Sequence, residues 1–195
     1  MKKYELMDQL IKDNNGYLFA KDVENEGISR TSLANYVKEH GLTKISKGTY
    51  ISSDTWEDNL YILQLRYPKI VFSDETALYL NGLTDREYSD VCITVPPDFS
   101  RGRLYREGIT IHQDRNYLLG ITEIKTNFGN PVKTYNKERC ICNMVRRRKD
   151  TDVQHYQTAI KTYMRSTDKN LNRLMLYAEK TGVMDEIRRY TEVLL

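Results

Sequence analysis

The chain has 195 residues, 39% of them hydrophobic and 29% charged, with a net charge of +3, enough for one large domain or two small ones. No apolar run approaches the roughly 20 residues that span a bilayer, and Met1-Lys2-Lys3-Tyr4-Glu5-Leu6 carries an acid too early for a secretory leader; a soluble, cytoplasmic protein is expected. Cys92, Cys140 and Cys142 are odd in number and match no zinc spacing with His40, His112 and His155, so reduced thiols, no metal and no cofactor are expected.

The charge is unevenly spread. Residues 1–27 sum to −2, 28–53 to +3, 54–135 to −3 and 136–195 to +5. A weakly acidic middle thus separates two basic regions, each a candidate for an anionic partner.

Tyr4, Met7 and Ile11, with Leu6 and Leu10, repeat at helical spacing, so an amphipathic helix is expected over residues 3–13. Asn14-Asn15-Gly16 stops it. A second short helix fits 20–26, and after Gly27 a third begins with Ser29 as its N-cap. Two helices joined by a tight glycine turn form a helix-turn-helix. On the third helix Leu33, Tyr36 and Val37 make an apolar stripe, whereas Thr31, Ser32, Asn35, Lys38 and Glu39 face the other way. Short hydroxyls, an amide and a base suit a helix in a major groove: Asn pairs bidentately with adenine, Ser or Thr meets a base edge, and Lys reaches guanine or phosphate. Arg30 falls nearer the buried side and is expected to contact phosphate. Leu42–Ile45 and Thr49–Ile51 then read as a hairpin around Lys47-Gly48, the wing of a winged helix, with Lys44 and Lys47 on phosphate. The candidate DNA-binding set is Ser29, Arg30, Thr31, Ser32, Asn35, Lys38, Lys44, Lys47 and Thr49, and the partner is double-stranded DNA.

Further along, Asp54-Thr55-Trp56-Glu57 resembles a capping box opening a helix through Trp56, Leu60, Leu63 and Tyr67, which is expected to link two domains, 1–53 and 54–195. A strand at 70–72, a helix at 74–81 capped by Ser73 and closed by Gly82, and strands at 90–95, 109–113, 121–126 and 132–135 follow. Helices are expected at 137–148, 151–165, 168–180 and 183–194, with Asn136, Asp150 and Asp168 as caps and Gly182 as a stop. The fold class is α+β: an N-terminal winged helix-turn-helix, then an α+β domain with a small β-sheet and a helical C-terminal part.

Several stretches together carry a family resemblance: Ile45-Ser46-Lys47-Gly48-Thr49-Tyr50, Ser73-Asp74-Glu75-Thr76-Ala77-Leu78-Tyr79-Leu80-Asn81-Gly82-Leu83-Thr84, Val91-Cys92-Ile93-Thr94-Val95-Pro96, Thr134-Tyr135-Asn136-Lys137-Glu138-Arg139-Cys140-Ile141-Cys142-Asn143-Met144-Val145-Arg146, and Leu174-Met175-Leu176-Tyr177-Ala178. In order and spacing the chain resembles the AbiEi antitoxins of type IV toxin–antitoxin, abortive-infection operons. The resemblance implies repression of its own operon through promoter repeats and relief of a cognate nucleotidyltransferase toxin without a stable complex. It departs from relatives at Asp74 and Asn81, where they often carry His, and at Asn143, where they often carry an acid; roles at those positions are not carried over.

Two other patterns bear on function. Asp114 with Glu123-Ile124-Lys125 imitates the carboxylate and E-x-K set of metal-dependent nucleases, but strand alternation places Glu and Lys around an inward Ile routinely. No Gly-rich phosphate loop and no G-x-S-x-G nucleophile occur, so no catalysis is expected. The basic residues of the C-terminal helices, above all Arg146, Arg147, Arg165 and Arg173, form the candidate antitoxin surface, because an Arg fork grips phosphate bidentately. Arg139 reads instead as a structural ion-pair residue with Glu138 or another acid. The alternatives to a repressor–antitoxin are a winged-helix regulator with a ligand-sensing or dimerising C-terminal domain, and a DNA-targeted metal-dependent nuclease.

Overall fold

A computed structural model describes residues 2–100, 102, 104 and 108–194. The chain divides into two compact units, 1–68 together with 125–130, and 69–124 together with 131–195. The first unit therefore runs past the boundary expected at residue 53. No helix among the described residues is long and apolar enough to cross a membrane.

In the first unit the order is α1 (Lys2–Asp13), β1 (Tyr17–Phe19), α2 (Ala20–Asn25), α3 (Arg30–Glu39), β2 (Thr43–Ser46), β3 (Thr49–Ile51) and α4 (Asn59–Arg66). Met7, Leu18, Val23, Ile28, Leu33, Tyr36 and Leu42 bury a common core beneath the three helices. The strands form an antiparallel sheet in the order β1-β3-β2. This is a winged helix-turn-helix. The strand β1 escapes the helical periodicity because it is only three residues long; it exists because Asn15 (φ 52°) and Gly16 (φ 89°) turn the chain back onto β3. A Cβ on Gly16 would lie 1.9 Å from Thr55 Oγ1, so the close approach itself requires glycine.

The fourth helix starts later than expected. Its N-cap is Asp58, whose Oδ1 accepts from Tyr61 N–H at 3.1 Å, not Asp54. Asp54 is engaged by the Ser52 hydroxyl, and Trp56 lies before the helix, 83% exposed. The helix belongs to the first unit, where Ile62 packs with Tyr17 and Ile51; charge reversal at residue 54 carries no information about that packing.

In the second unit β4 (Val71–Phe72), α5 (Asp74–Leu80), β5 (Cys92–Val95), β6 (Thr110–Gln113), β7 (Ile121–Lys125) and β8 (Pro131–Tyr135) precede α6 (Lys137–Arg146), α7 (Val153–Arg165), α8 (Leu171–Thr181) and α9 (Met184–Leu194). The sheet order is β6-β5-β4-β8-β7, with β4 antiparallel to β5, and parallel pairs β4–β8 and β5–β6. The helix α6 is buried along almost its whole length, packed against α5, α7, α8 and α9. Asn136 caps α6 as expected, and Gly182 in the left-handed conformation ends α8. The caps of α7 and α8 are Asp152 and Asn170, each two residues beyond the expected Asp150 and Asp168. Asp168 instead holds Lys137 at 2.8 Å.

Candidate nucleic-acid interface

The recognition helix is held by its buried face. Leu33 and Tyr36 enter the three-helix core, and the Tyr36 hydroxyl donates to Asp8 of α1 at 2.5 Å. His40 stacks on the Tyr36 ring at 4.1 Å, and Tyr4 meets the same ring edge-on at 5.1 Å. Burial and then the Asp8 carboxylate push the Tyr36 phenol pKa up, so it stays a neutral donor. With this face anchored to α1, the opposite face is presented rigidly.

Thr31, Asn35 and Lys38 are exposed on that opposite face, spaced to lie in one line along the helix. Ser29 and Ser32 are engaged at the helix start: Ser32 N–H donates to Ser29 Oγ at 3.3 Å, and their hydroxyls lie 3.0 Å apart. They are engaged at the N-terminal turn, whereas Thr31, Asn35 and Lys38 project from the exposed face. Arg30 does not lie toward the buried side. It is 85% exposed and pairs with Glu24 of α2 at 2.5 Å, an ion pair across the helix-turn-helix.

The wing is the β2–β3 hairpin, with a register shift between Lys44 and Ser46 and Gly48 at φ 74° in the turn. Lys44 and Lys47 are exposed and form no ion pair among the described residues. Thr49 leaves the candidate set. It is buried, opposite Phe19 on one side and Ser46 on the other, because β3 is the central strand of the sheet.

The candidate antitoxin residues of the second unit are distributed differently from the open basic face expected. Arg146 lies 2.9 Å from Asp114, Arg147 pairs with Asp74, and Arg173 lies 3.5 Å from Glu138. Of the four, Arg165 alone is exposed with no ion pair among the described residues. Arg139 is the structural ion-pair residue, but its partner is Asp114 at 2.7 Å, not Glu138. Burial opposes ionisation of Asp114; the Asn116 backbone N–H, Arg146 and Arg139 outweigh it and hold the carboxyl below its usual range. Asp114 is thereby committed to two guanidinium groups rather than to the nuclease-like pattern with Glu123 and Lys125.

One cluster was not foreseen in the sequence. Asp74 is a non-glycine residue at φ 48°, and its Oδ2 accepts from Ser73 Oγ at 2.9 Å, lies 3.4 Å from His112 Nε2, and pairs with Arg147. Asp74, His112 and Arg147 line a cavity of about 270 Å³ with Cys92, Thr110 and Met144. Burial, then Arg147 and Arg146 against the opposing pull of Asp74, keep the imidazole of His112 below its ordinary pKa, hence neutral at pH 7. The signal available was the departure at Asp74 alone; nothing in sequence spacing joins it to residues 112 and 147.

Residues 5–86 match the family model described as the transcriptional regulator, AbiEi antitoxin N-terminal domain. The resemblance read from the sequence is shown over that segment. Among solved structures, the RV2827C protein from Mycobacterium tuberculosis is similar, with a TM-score of 0.56 and 13% identity over 92% of this chain and 75% of that one. At that identity the likeness is one of fold. Comparison with curated proteins gives no match.

Proposed function

We propose that this chain, whose residues 5–86 match the AbiEi antitoxin N-terminal domain model, represses its own operon and serves as the antitoxin of a type IV, abortive-infection pair. The observation that carries the regulatory half is the exposed line Thr31, Asn35 and Lys38 on a helix pinned from behind, with Lys44 and Lys47 on the adjoining wing. A helix of that composition enters a major groove, Asn35 reads adenine, and the wing lysines neutralise flanking phosphates. With one winged helix among the described residues, tight binding depends on two copies at promoter repeats. The antitoxin half is assigned to the second unit, acting on a nucleotidyltransferase toxin without a stable complex, with Arg165 the member of the candidate surface that is exposed and forms no ion pair among the described residues.

Fluorescence anisotropy with the chain's own upstream region against scrambled DNA of equal length tests repression. Preference for the repeats at physiological salt is expected, and equal affinity for both sequences removes the specific reading. Co-expression with the neighbouring toxin gene tests antitoxicity: growth is restored, with no co-purifying complex.

A further inference from the structure

We propose that the groove between α7 and α9 is a binding site for a nucleoside triphosphate. The inference stands apart from promoter repression, which uses the first unit. Its starting point is the division of the basic residues in the C-terminal helices. Lys137, Arg139, Arg146, Arg147 and Arg173 are each matched by a carboxylate of the same unit. Arg148, Lys161 and Arg189 form no ion pair among the described residues, and all three line one groove of about 480 Å³. That volume lies within the roughly 300–1,000 Å³ of small-molecule sites. Three cations converging on a concave surface with Glu186 as the single acid of its lining among the described residues leave a positive field that a polyanion satisfies.

The groove is not merely basic. Its wall is aromatic: Tyr156 is buried, the Tyr190 ring lies 5.9 Å from it at a 59° tilt, and Ile160 continues the apolar surface. Arg148 carries its guanidinium carbon 5.4 Å from the Tyr156 ring centroid. A guanidinium held over one ring still has a planar face to offer, and Arg planes stack on nucleobases as readily as on tyrosine. The base lies on Arg148, with the Gln157 amide supplying both a donor and an acceptor to its edge. Lys161 lies one helical turn beyond Gln157, and Arg189 reaches the same groove from α9; these two take the phosphates. Glu186, one turn before Arg189, accepts from the ribose hydroxyls. Inorganic phosphate or a simple polyanion would use the cations but not the Arg148–Tyr156 stack.

The test is isothermal titration of the full chain with ATP, GTP, adenosine, tripolyphosphate and a short single-stranded RNA. Saturable one-to-one binding of a triphosphate is expected, weakening as salt rises. Binding should fall at least tenfold in Lys161→Glu and in Arg189→Glu, and change less than twofold in Arg165→Glu, which lies outside the groove. Arg148→Lys keeps the charge and loses the stacking plane; it should weaken the nucleotide severalfold and leave tripolyphosphate unaltered. Circular dichroism of each variant confirms the fold. The proposal is overturned by no saturable mononucleotide binding at millimolar concentration, by binding indifferent to both reversals, by tripolyphosphate binding as tightly as the nucleotide, or by RNA binding where mononucleotides do not. Promoter affinity, read in the same variants, should stay unchanged, so failure here is separable from failure of the repressor reading.

Discussion

The Asp58 carboxylate accepts the Thr126 hydroxyl at 2.5 Å across 68 residues of chain. The same oxygen accepts from Asn130 Nδ2 at 3.0 Å, while the other oxygen caps α4. Asn130 is held in turn by Asn15 at 3.2 Å. One buried acid thus fastens the loop 125–130 to the turn before β1 and to the start of α4, all within the first unit. Asp58→Ala removes the cap and leaves a hydroxyl and an amide unpaired, a cost of about 2–4 kcal/mol. Urea unfolding should show the midpoint drop; an unchanged midpoint would mean water replaces the carboxylate without penalty.

At the DNA face the two kinds of contact separate by mutation. Asn35→Ala should cost about 1–3 kcal/mol at the promoter and relax preference among repeats. Lys47→Ala should weaken all sequences alike and lower the salt slope by about one counterion. Anisotropy across a salt series distinguishes them, and a sequence-selective loss in Lys47→Ala would contradict the phosphate role.

Asp114→Ala leaves the fully buried Arg139 guanidinium without its partner, a loss of about 3–5 kcal/mol. The added change Arg139→Met should restore part of it, because an apolar side chain of similar length carries no charge to bury. The Asp114 carboxyl is depressed in the folded state. The folded chain therefore binds fewer protons than the unfolded chain near the unfolded pKa of about 3.9. The stabilisation is fully present above that pH and is lost as pH falls through the lower folded value. Stability followed from pH 7 down to acid should fall more steeply for the wild type than for Asp114→Asn; parallel curves would refute the assignment.

Glycine positions should divide by what surrounds them. Gly120 has φ 80°, and a Cβ there would lie 2.7 Å from Arg139 Cβ and 3.1 Å from the Tyr177 ring. Gly82 has φ 64° with nothing within 4 Å. Gly82→Ala should cost about 1 kcal/mol of backbone strain alone. Gly120→Ala adds overpacking of about 1–3 kcal/mol. Thermal unfolding of the two variants side by side checks the order, and equal losses would mean that Arg139 yields.

The four candidate antitoxin arginines should also divide. Arg165→Glu is expected to abolish rescue from the toxin with the melting temperature retained. Arg146→Ala, Arg147→Ala and Arg173→Ala each strip a carboxylate of a partner, so they should lower stability, with any loss of rescue following from it. Full rescue by Arg165→Glu would place antitoxicity elsewhere.

Sequence by itself determined the elements with strong periodicity, and the caps of some of them. The three N-terminal helices, the wing turn at Gly48 and the α6 cap at Asn136 follow from local spacing and backbone preference, which act over a turn or two of chain. The exposed line Thr31, Asn35 and Lys38 of α3 does so too, because an amphipathic helix exposes whatever it does not bury, whereas Arg30, expected nearer the buried side, is exposed. Tertiary structure alone decided the rest. Thr49 is buried because β1, too short for any periodic signal, pairs with β3 and makes it the central strand. Asp58 displaced Asp54 as the cap because Thr126 and Asn130 converge on it from distant sequence. The +5 balance after residue 136 suggested an open basic face, yet Asp74, Asp114 and Glu138 lie against Arg147, Arg146 and Arg173. Charge is a property of composition; whether a charge is free is a property of distance, and distance is set by the packed core.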